Sequence, residues 1–363
     1  MTTTYRYIFA DLLTNSVLGE LPITGVSFNQ QLNQAGTLQA RILLSGVDGY
    51  EYNVDASTIP ARTAIYVDRD GLIVWGGVIW GREYNSANQT LSITAREFES
   101  YFERRRITTD VVFTNVDQMT IAQTLFNTAQ AAPYGNIGVI VPTNTSGVLV
   151  SRTYYGYEYK QVYAAVQDLS RQLDGFDFNI RSSYSSGEII KTLQMGYPRI
   201  GTIYSPTDPS AVVFNFPAGN IVEYAYPEDG SIAANTIYGL GAGSNEGKLL
   251  STASDATKYA EGWALLEDQA NYSDVTDATL LSELAQGQVS ALSYPPTTIK
   301  VVVPAYVDPV FGTYSIGDDA RLIITDSRFP TGLDQVYRIV GLNVQPGEDS
   351  PERVTLTLTT TSN

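Results

Sequence analysis

The chain has 363 residues, with 22 Lys+Arg against 38 Asp+Glu for a formal net charge of −16, and it contains neither His nor Cys. That composition excludes disulfides, thiolate nucleophiles, Cys- or His-ligated metal and a Ser-His-Asp triad, which leaves carboxylates, Tyr, Lys, Ser and Thr for any catalysis. At 43% hydrophobic residues with 25 Tyr it is neither disordered nor fibrous, and its length predicts two or three domains around a real core.

Charge is unevenly placed: residues 1–106, 107–205 and 206–363 carry nets of −2, −1 and −13. Such a balance disfavours adhesion to nucleic acid or anionic membranes, because phosphates are held by clustered Lys and Arg. The single basic cluster, Arg104-Arg105-Arg106, follows Glu97, Glu99 and Glu103 and reads as a solvated helix end. The opening Met1–Tyr7 lacks a basic region followed by an apolar one, and no 18 apolar residues run together, so a soluble chain without a signal peptide is expected.

The first hundred residues read as β. Leu38–Leu44, Thr63–Val67, Leu72–Trp80 and Thr90–Thr94 are short runs rich in β-branched and aromatic residues, separated by turn signals at Asp70-Gly71 and Asn85–Asn88. After Arg106 the period changes. Asp117 is a candidate N-cap for a helix over Gln118–Ala132, stopped by Pro133, and a second helix is expected over Glu158–Leu173, ended by Asp174-Gly175. Phe176–Ile180 alternates at period two, so this section is α+β, with a loop-rich stretch at 134–157.

From about 206 the β signal returns in Val212–Phe216, Ile221–Tyr226 and Ala234–Tyr238, ending at Gly239–Gly243. Two helices are then predicted, one around Tyr259, Trp263, Leu266 and Ala270, the other from Asp277 to a stop at Pro295-Pro296. The last strands are Ile299–Val303, Ala320–Thr325, Val336–Val344 and Arg353–Thr360.

One order of features recurs. A strand, a second strand leading through Gly77, a polar turn at Asn85-Ser86 and a Thr-alternating strand at Thr90–Thr94 are echoed by Leu322–Ile324, Gly341, Glu348–Ser350 and Thr355–Thr359. Two unrelated hairpins sharing generic β grammar, or two related barrels separated by inserts, both account for it.

Motifs with chemical promise are weak. Gly239–Lys248 fails the G-x-x-x-x-G-K-[ST] phosphate-loop pattern at Ala242 and Leu249 and reads as a strand-to-helix loop. Gly317-Asp318-Asp319 resembles a metal-binding acidic pair, but a turn opening the next strand explains it equally. Glu158, Glu223 and Glu283 are formal candidates for a glycosidic carboxylate pair, with solvated surface the simpler reading. Trp75 and Trp80, with Tyr154, Tyr155, Tyr157 and Tyr159, have the ring types that stack on sugars, or that fill a core or subunit interface.

Taken together, Pro60–Trp80, Phe98–Phe102, Arg104–Arg106, Tyr314–Asp318, Tyr337–Gly341 and the closing Val354–Leu358 resemble siphophage minor tail proteins of the baseplate-hub kind, especially those of actinobacterial phages. The resemblance implies a mainly β fold with an α+β insertion: two related small antiparallel β-barrels of the tail-tube kind plus a helix-containing inserted domain. On that plan residues 1–105 form the first barrel and 106–205 an α+β domain. Residues 206–240 begin the second barrel, 241–298 are a helical insertion packing with the α+β domain, and 299–363 complete the barrel.

The resemblance further implies a homotrimer, since three chains match a six-fold tube only if each supplies two equivalent barrels. Partners would be the distal tail protein and tail tube above, tip or fibre proteins below, and DNA in transient passage through the bore. No small-molecule substrate, cofactor, metal or catalytic residue is expected, and the location is the virion tail tip, after synthesis in the host bacterial cytoplasm. Two other readings stand beside it: a virion carbohydrate-binding or adsorption protein using the six aromatic residues, and a carboxylate-dependent glycoside hydrolase.

Overall fold

The computed structural model describes residues 3–44, 53–172, 174–273, 275–293, 298–347 and 351–360. Leu173, the Pro295-Pro296 stop and the Glu348–Ser350 turn lie outside the described residues.

Thirteen strands pair in one sheet. The N-terminal part contributes Tyr5–Asp11, Val17–Glu20, Thr24–Gln31, Thr37–Leu43, Thr63–Arg69, Leu72–Asn85 and Thr90–Glu97; the C-terminal part contributes Val212–Phe216, Glu223–Ala225, Thr298–Pro304, Asp319–Ile324, Leu333–Gln345 and Arg353–Thr360. The two parts meet where Leu333–Gln345 pairs antiparallel with Thr24–Gln31, placing Leu342 opposite Gln30 and Val344 opposite Phe28. One apolar core underlies both, with Leu38, Ile65, Ile79 and Ile93 from the first part against Ile299, Leu322, Ile339 and Leu356 from the second. The mainly β class with an α+β insertion is therefore present. Among the described residues, hydrogen-bonded pairing does not close either part on itself.

The echo is a structural repeat. In the first part Leu72–Asn85 pairs with Thr63–Arg69 and then with Thr90–Glu97, which pairs onward with Thr37–Leu43. In the second, Leu333–Gln345 pairs with Asp319–Ile324 and then with Arg353–Thr360, which pairs onward with Thr298–Pro304. Both middle strands bulge at the same place, between Ile79 and Gly81 and between Ile339 and Gly341, with Gly81 opposite Thr94 and Gly341 opposite Thr357. The counterpart of Gly341 is thus Gly81, four residues beyond the Gly77 that spacing suggests, because a bulge adds a residue that only pairing reveals. A Cβ on Gly81 would lie 2.6 Å from Thr94 Oγ1, so glycine is what lets the bend approach its partner strand.

The strand Thr63–Arg69 is buried along its whole length. Ile65 and Val67 face the shared core, whereas Ala64 and Tyr66 face a second core with Phe98, Phe102, Met119, Phe126, Phe176 and Phe178. That second core belongs to the α+β section. Its helix Gln118–Ala131 begins as expected, Asp117 Oδ1 accepting from the N–H of Met119 and Thr120 at 2.9 and 3.1 Å. The second helix is shorter than predicted, Val162–Arg171, because Tyr159 takes a left-handed φ of 48° after a single 3-10 turn at Gly156–Glu158. Asp177–Ser185 and Glu188–Gly196 then form a hairpin.

Two expectations fail between 236 and 293. Thr236–Leu240 does not join the large sheet; it pairs antiparallel with Leu250–Ser254 and parallel with Glu267–Asn271. The helix expected through Tyr259, Trp263, Leu266 and Ala270 lasts only from Ala256 to Ala260, since Gly262 turns the chain at φ +93° and the residues beyond it enter the strand. The helix Ala278–Leu292 does form, and covers this small sheet through Leu281, Ala285 and Val289. The insertion is therefore a small α+β unit rather than a helical one.

Candidate functional site

A largely buried polar seam locks the α+β section to the second repeat. Arg181 donates to Ser315 Oγ at 2.7 Å, Arg338 to Asp177 and to Ile200 O, and Arg199 to Asp319 Oδ1 at 2.5 Å. Gly317-Asp318-Asp319 lies inside this seam. Asp318 accepts from Thr202 N and Ser315 N, Asp319 from Arg199 and Tyr204 N, and Gly317 takes φ +97° against Ile200. Both carboxylates are occupied by donors of the protein, which is the turn reading and not a metal pair. Among the described residues no three acidic side chains gather as metal ligands.

Glu97 and Glu99, which look like part of a solvated acidic stretch in the sequence, are 4% and 1% exposed. Glu97 accepts from Gln30 and from Gly36 N at 2.7 Å, and Glu99 accepts from Ile180 N at 2.5 Å. Burial raises both carboxyls above the ordinary range; the neighbouring Glu99 charge adds to the rise at Glu97, and Glu99 itself is pushed up to about 7. Residue type alone could not reveal this, since Glu99 is met by Ile180 of the hairpin Asp177–Gly196 and Glu97 by Gln30 and Gly36, all far away in the sequence. The three arginines that follow are engaged: Arg104 lies 5.6 Å from the Trp80 ring, Arg105 donates to Ala129 O, and Arg106 to Glu103 O.

The six aromatic candidates separate. Trp75 is 1% exposed and donates to Asn29 O at 3.0 Å within the shared core. Trp80 donates to Ser100 Oγ at 2.7 Å with one face under Arg104. Tyr154 is buried. Tyr155 and Tyr157, however, stack on each other at 5.3 Å between centroids and stand exposed, with Tyr159 exposed beside them. Tyr154 also lines a cavity of about 490 Å³ with Arg152, Lys160, Asp168, Tyr272 and Asp277, at the joint between the α+β section and the 236–293 unit.

Glu158, Glu223 and Glu283 lie on separate elements: a 3-10 turn, an edge strand and the helix Ala278–Leu292. Within Gly239–Lys248, Gly239 and Leu240 end the strand Thr236–Leu240 and the remainder is the turn of a β-hairpin, with Gly241 N donating to Leu249 O and Leu249 N to Ala242 O. A phosphate loop needs a helix N-terminus behind it, and here a strand follows.

Exposed strand edges are the other conspicuous feature. Gly81–Asn85 pairs with Thr90–Thr94 on one side, and Glu223–Ala225 with Lys300–Val302 on one side. No strand among the described residues pairs with the opposite edge of either. Unpaired N–H and C=O groups in such rows invite another strand.

No protein-family model matches the chain, and no curated protein matches by sequence. Its fold, by contrast, is known among solved structures. The tail protein from Neisseria meningitidis MC58 matches with a TM-score of 0.59 at 12% identity, over 97% of this chain and 96% of that one. The prophage MuSo2 43 kDa tail protein from Shewanella oneidensis matches with a TM-score of 0.60 at 14% identity, over 97% of each chain. A chain of the Francisella PdpA-VgrG complex matches with a TM-score of 0.55 at 7% identity, over 99% of this chain and 53% of that one. This chain therefore has the fold of phage and prophage tail proteins.

Proposed function

We propose that the chain is a structural component of a phage tail tip, the baseplate hub, and that it works by assembly rather than catalysis. The observation that carries this reading is the internal repeat: one chain holds two meanders with the same strand order and the same bulge at Gly81 and Gly341. Three such chains supply six equivalent units, the number needed to continue a six-fold tube, so the expected assembly is a homotrimer. The whole-chain likeness to two tail proteins supports the same reading.

In that assembly the repeats form the ring, and the α+β section and the 236–293 unit form its outer or lower flank. The distal tail protein and tail tube lie above and tip or fibre proteins below. DNA crosses the bore during ejection, and a net charge of −16 suits a wall from which phosphates slide rather than adhere. Light scattering of the purified protein tests the trimer: a mass near three chains is the expected result, and a strict monomer at every concentration would remove self-assembly. Locating the protein at the tail tip of intact virions tests the hub.

A second reading, a carbohydrate-binding or adsorption protein, draws on Tyr155 and Tyr157, the stacked and exposed pair among the six aromatic candidates. It predicts glycan binding that is lost when both are replaced by Ala.

A further inference from the structure

We infer that copies of this chain join edge to edge, the free edge of Gly81–Asn85 in one copy pairing antiparallel in the next with Ala225 and with residues 226–229, the stretch that runs on from the end of the strand Glu223–Ala225. This deepens the hub reading, on which it rests, by assigning the surface through which the ring is built.

The argument is that the same joint already exists once inside each chain. The tail of the second repeat's middle strand, Gly341–Val344, pairs with Phe28–Gln31 of the first repeat. The equivalent tail in the first repeat is Gly81–Tyr84, placed by the shared bulge. Phe28 has its own counterpart through the repeated outer pairing: Leu38 sits opposite Ala95 and Ile299 opposite Leu358, so Thr37–Leu43 corresponds to Thr298–Pro304. Phe28 pairs with Leu38, and Ala225 with Lys300; one residue on, Tyr226 corresponds to Phe28. Each repeat thus owns one tail and one receiving strand. Inside the chain one tail meets one receiving strand, and one of each is left over.

The leftovers are complementary. The internal register, transferred between copies, sets Arg82 opposite Glu228 and Tyr84 opposite Tyr226, an opposite-charge pair and an aromatic pair of the kinds that stabilise neighbouring strands. Tyr84, at 54% exposure, takes the place of the buried Val344, so the contact would cover an apolar side chain now left to solvent. Pro227 fits as well. Leu32 N donates to Val340 O, which makes positions 30 and 28 the hydrogen-bonded ones and position 29, the counterpart of Pro227, one whose N–H the neighbour does not need. The contact is head to tail, so it must close into a ring or run on as a filament.

The absence of Cys makes a clean test possible. Glu83 and Pro227 fall opposite each other at a position of the close, non-hydrogen-bonded kind, with Cα atoms about 4.5 Å apart, within disulfide reach. The full chain carrying both Glu83→Cys and Pro227→Cys should cross-link under oxidation into two- and three-chain species, while each single variant stays monomeric on a denaturing gel. No cross-link in the double variant, or equal cross-linking of a single variant, overturns the edge pairing. As a second arm, Arg82→Glu and Glu228→Arg should each reduce assembly, and the two together should restore it; since Arg82 also lies near Asp55 and Glu228 near Arg328 within the chain, only the restoration is diagnostic. A three-chain mass without cross-linking would remove this edge and leave the trimeric hub standing. A monomer without cross-linking would remove both the edge and a self-assembling trimer.

Discussion

Arg69 and Glu352 form a bidentate pair, Nε and Nη2 of the arginine donating to the two carboxylate oxygens at 2.8 and 2.9 Å, with both side chains less than a tenth exposed. The residues stand 283 positions apart, one closing the first strand of the N-terminal meander and the other preceding the last strand of the chain. Arg69 also donates to Phe311 O at 3.0 Å, and Tyr5 OH donates to Glu352. A buried guanidinium stripped of its carboxylate keeps its desolvation cost without the attraction that offsets it. Glu352→Gln is therefore expected to destabilise the protein by about 3–5 kcal/mol, measured by urea unfolding. Replacing Arg69 and Glu352 together by Met should recover most of that loss; a double variant as weak as the single would show that the pair matters through something other than its charges.

The pH dependence of stability should carry the mark of Glu99. Its carboxyl titrates at about 7 in the fold against an ordinary 4.5, mainly through burial, so the folded state holds the proton more tightly than the unfolded one. The stabilisation is then complete below pH 4.5 and is lost as pH rises through 7, on the order of 3 kcal/mol in all. Glu97 acts in the same direction. Glu99→Gln keeps an acceptor for Ile180 N without the charge, so it should melt several degrees above the wild type at pH 8 and level with it at pH 4. Equal melting temperatures at both pH values would place the carboxylate in a wetter setting than the structure does.

How far the sequence carried this picture depends on how local each signal was. The Asp117 cap and its helix were legible because cap, N–H groups and apolar stripe lie within a few residues. The strands Thr63–Arg69, Leu72–Asn85 and Thr90–Glu97 were legible for the same reason, and the repeat was visible as an order of features, whereas Val111–Asp117, Leu149–Tyr154 and Glu188–Gly196 carried no such signal. The repeat's register was not, because a bulge at Gly81 shifts the pairing without leaving a motif. Glu97 and Glu99 misled for a different reason. Their neighbours in sequence are charged, whereas their neighbours in space are Gln30, Gly36 and Ile180. Likewise the stripe at Tyr259, Trp263 and Leu266 has helical spacing, and the left-handed Gly262 together with parallel pairing to Thr236–Leu240 outweighs it. For the site, residue type pointed to aromatic rings, and folding consigned Trp75 and Tyr154 to the interior while leaving Tyr155 and Tyr157 outside.

Lys191 gives a prediction of opposite sign. It is 1% exposed, its ammonium lies 5.1 Å from the Phe98 ring centroid, and its Nζ has no hydrogen-bond partner. Burial pulls it down to about 8 from the ordinary 10.5. The neutral form is the one the fold prefers, so stability rises with pH from 8 to beyond 10.5 and a charged Lys191 weakens the protein at pH 7. Lys191→Met should gain about 2–3 kcal/mol at pH 7, with the advantage shrinking as pH approaches 10.5. A loss at pH 7 would mean that the contact with Phe98 outweighs the desolvation of the ammonium.

The aromatic residues offer a direct contrast between scaffold and surface. Trp75→Ala removes a fully buried ring from the core shared by both repeats and orphans Asn29 O, so a loss of about 3–5 kcal/mol is expected. Tyr155→Ala with Tyr157→Ala touches an exposed stack and should change stability by about 0.5 kcal/mol or less. Binding of the wild type and this double variant to a glycan array then decides whether the stack serves adsorption.

The 236–293 unit should open before the rest of the molecule. Its apolar centre is small: Ala234, Ile237, Ala253, Ala285 and Val289 on one side, Val275, Leu281 and Leu284 on the other, whereas both repeats share a single extended core. Little buried area means a low free energy for local unfolding, and the cavity at its joint with the α+β section reduces the contact that would tie the two together. Native-state hydrogen exchange should therefore release the amides of Thr236–Leu240 and Leu250–Ser254 through a sub-global opening at denaturant concentrations where Thr63–Arg69 and Arg353–Thr360 remain protected. Those two strands should exchange together, despite lying at opposite ends of the chain, because no part of the shared core can be exposed without exposing the remainder. Simultaneous exchange of all four strands would instead make the whole chain one cooperative unit.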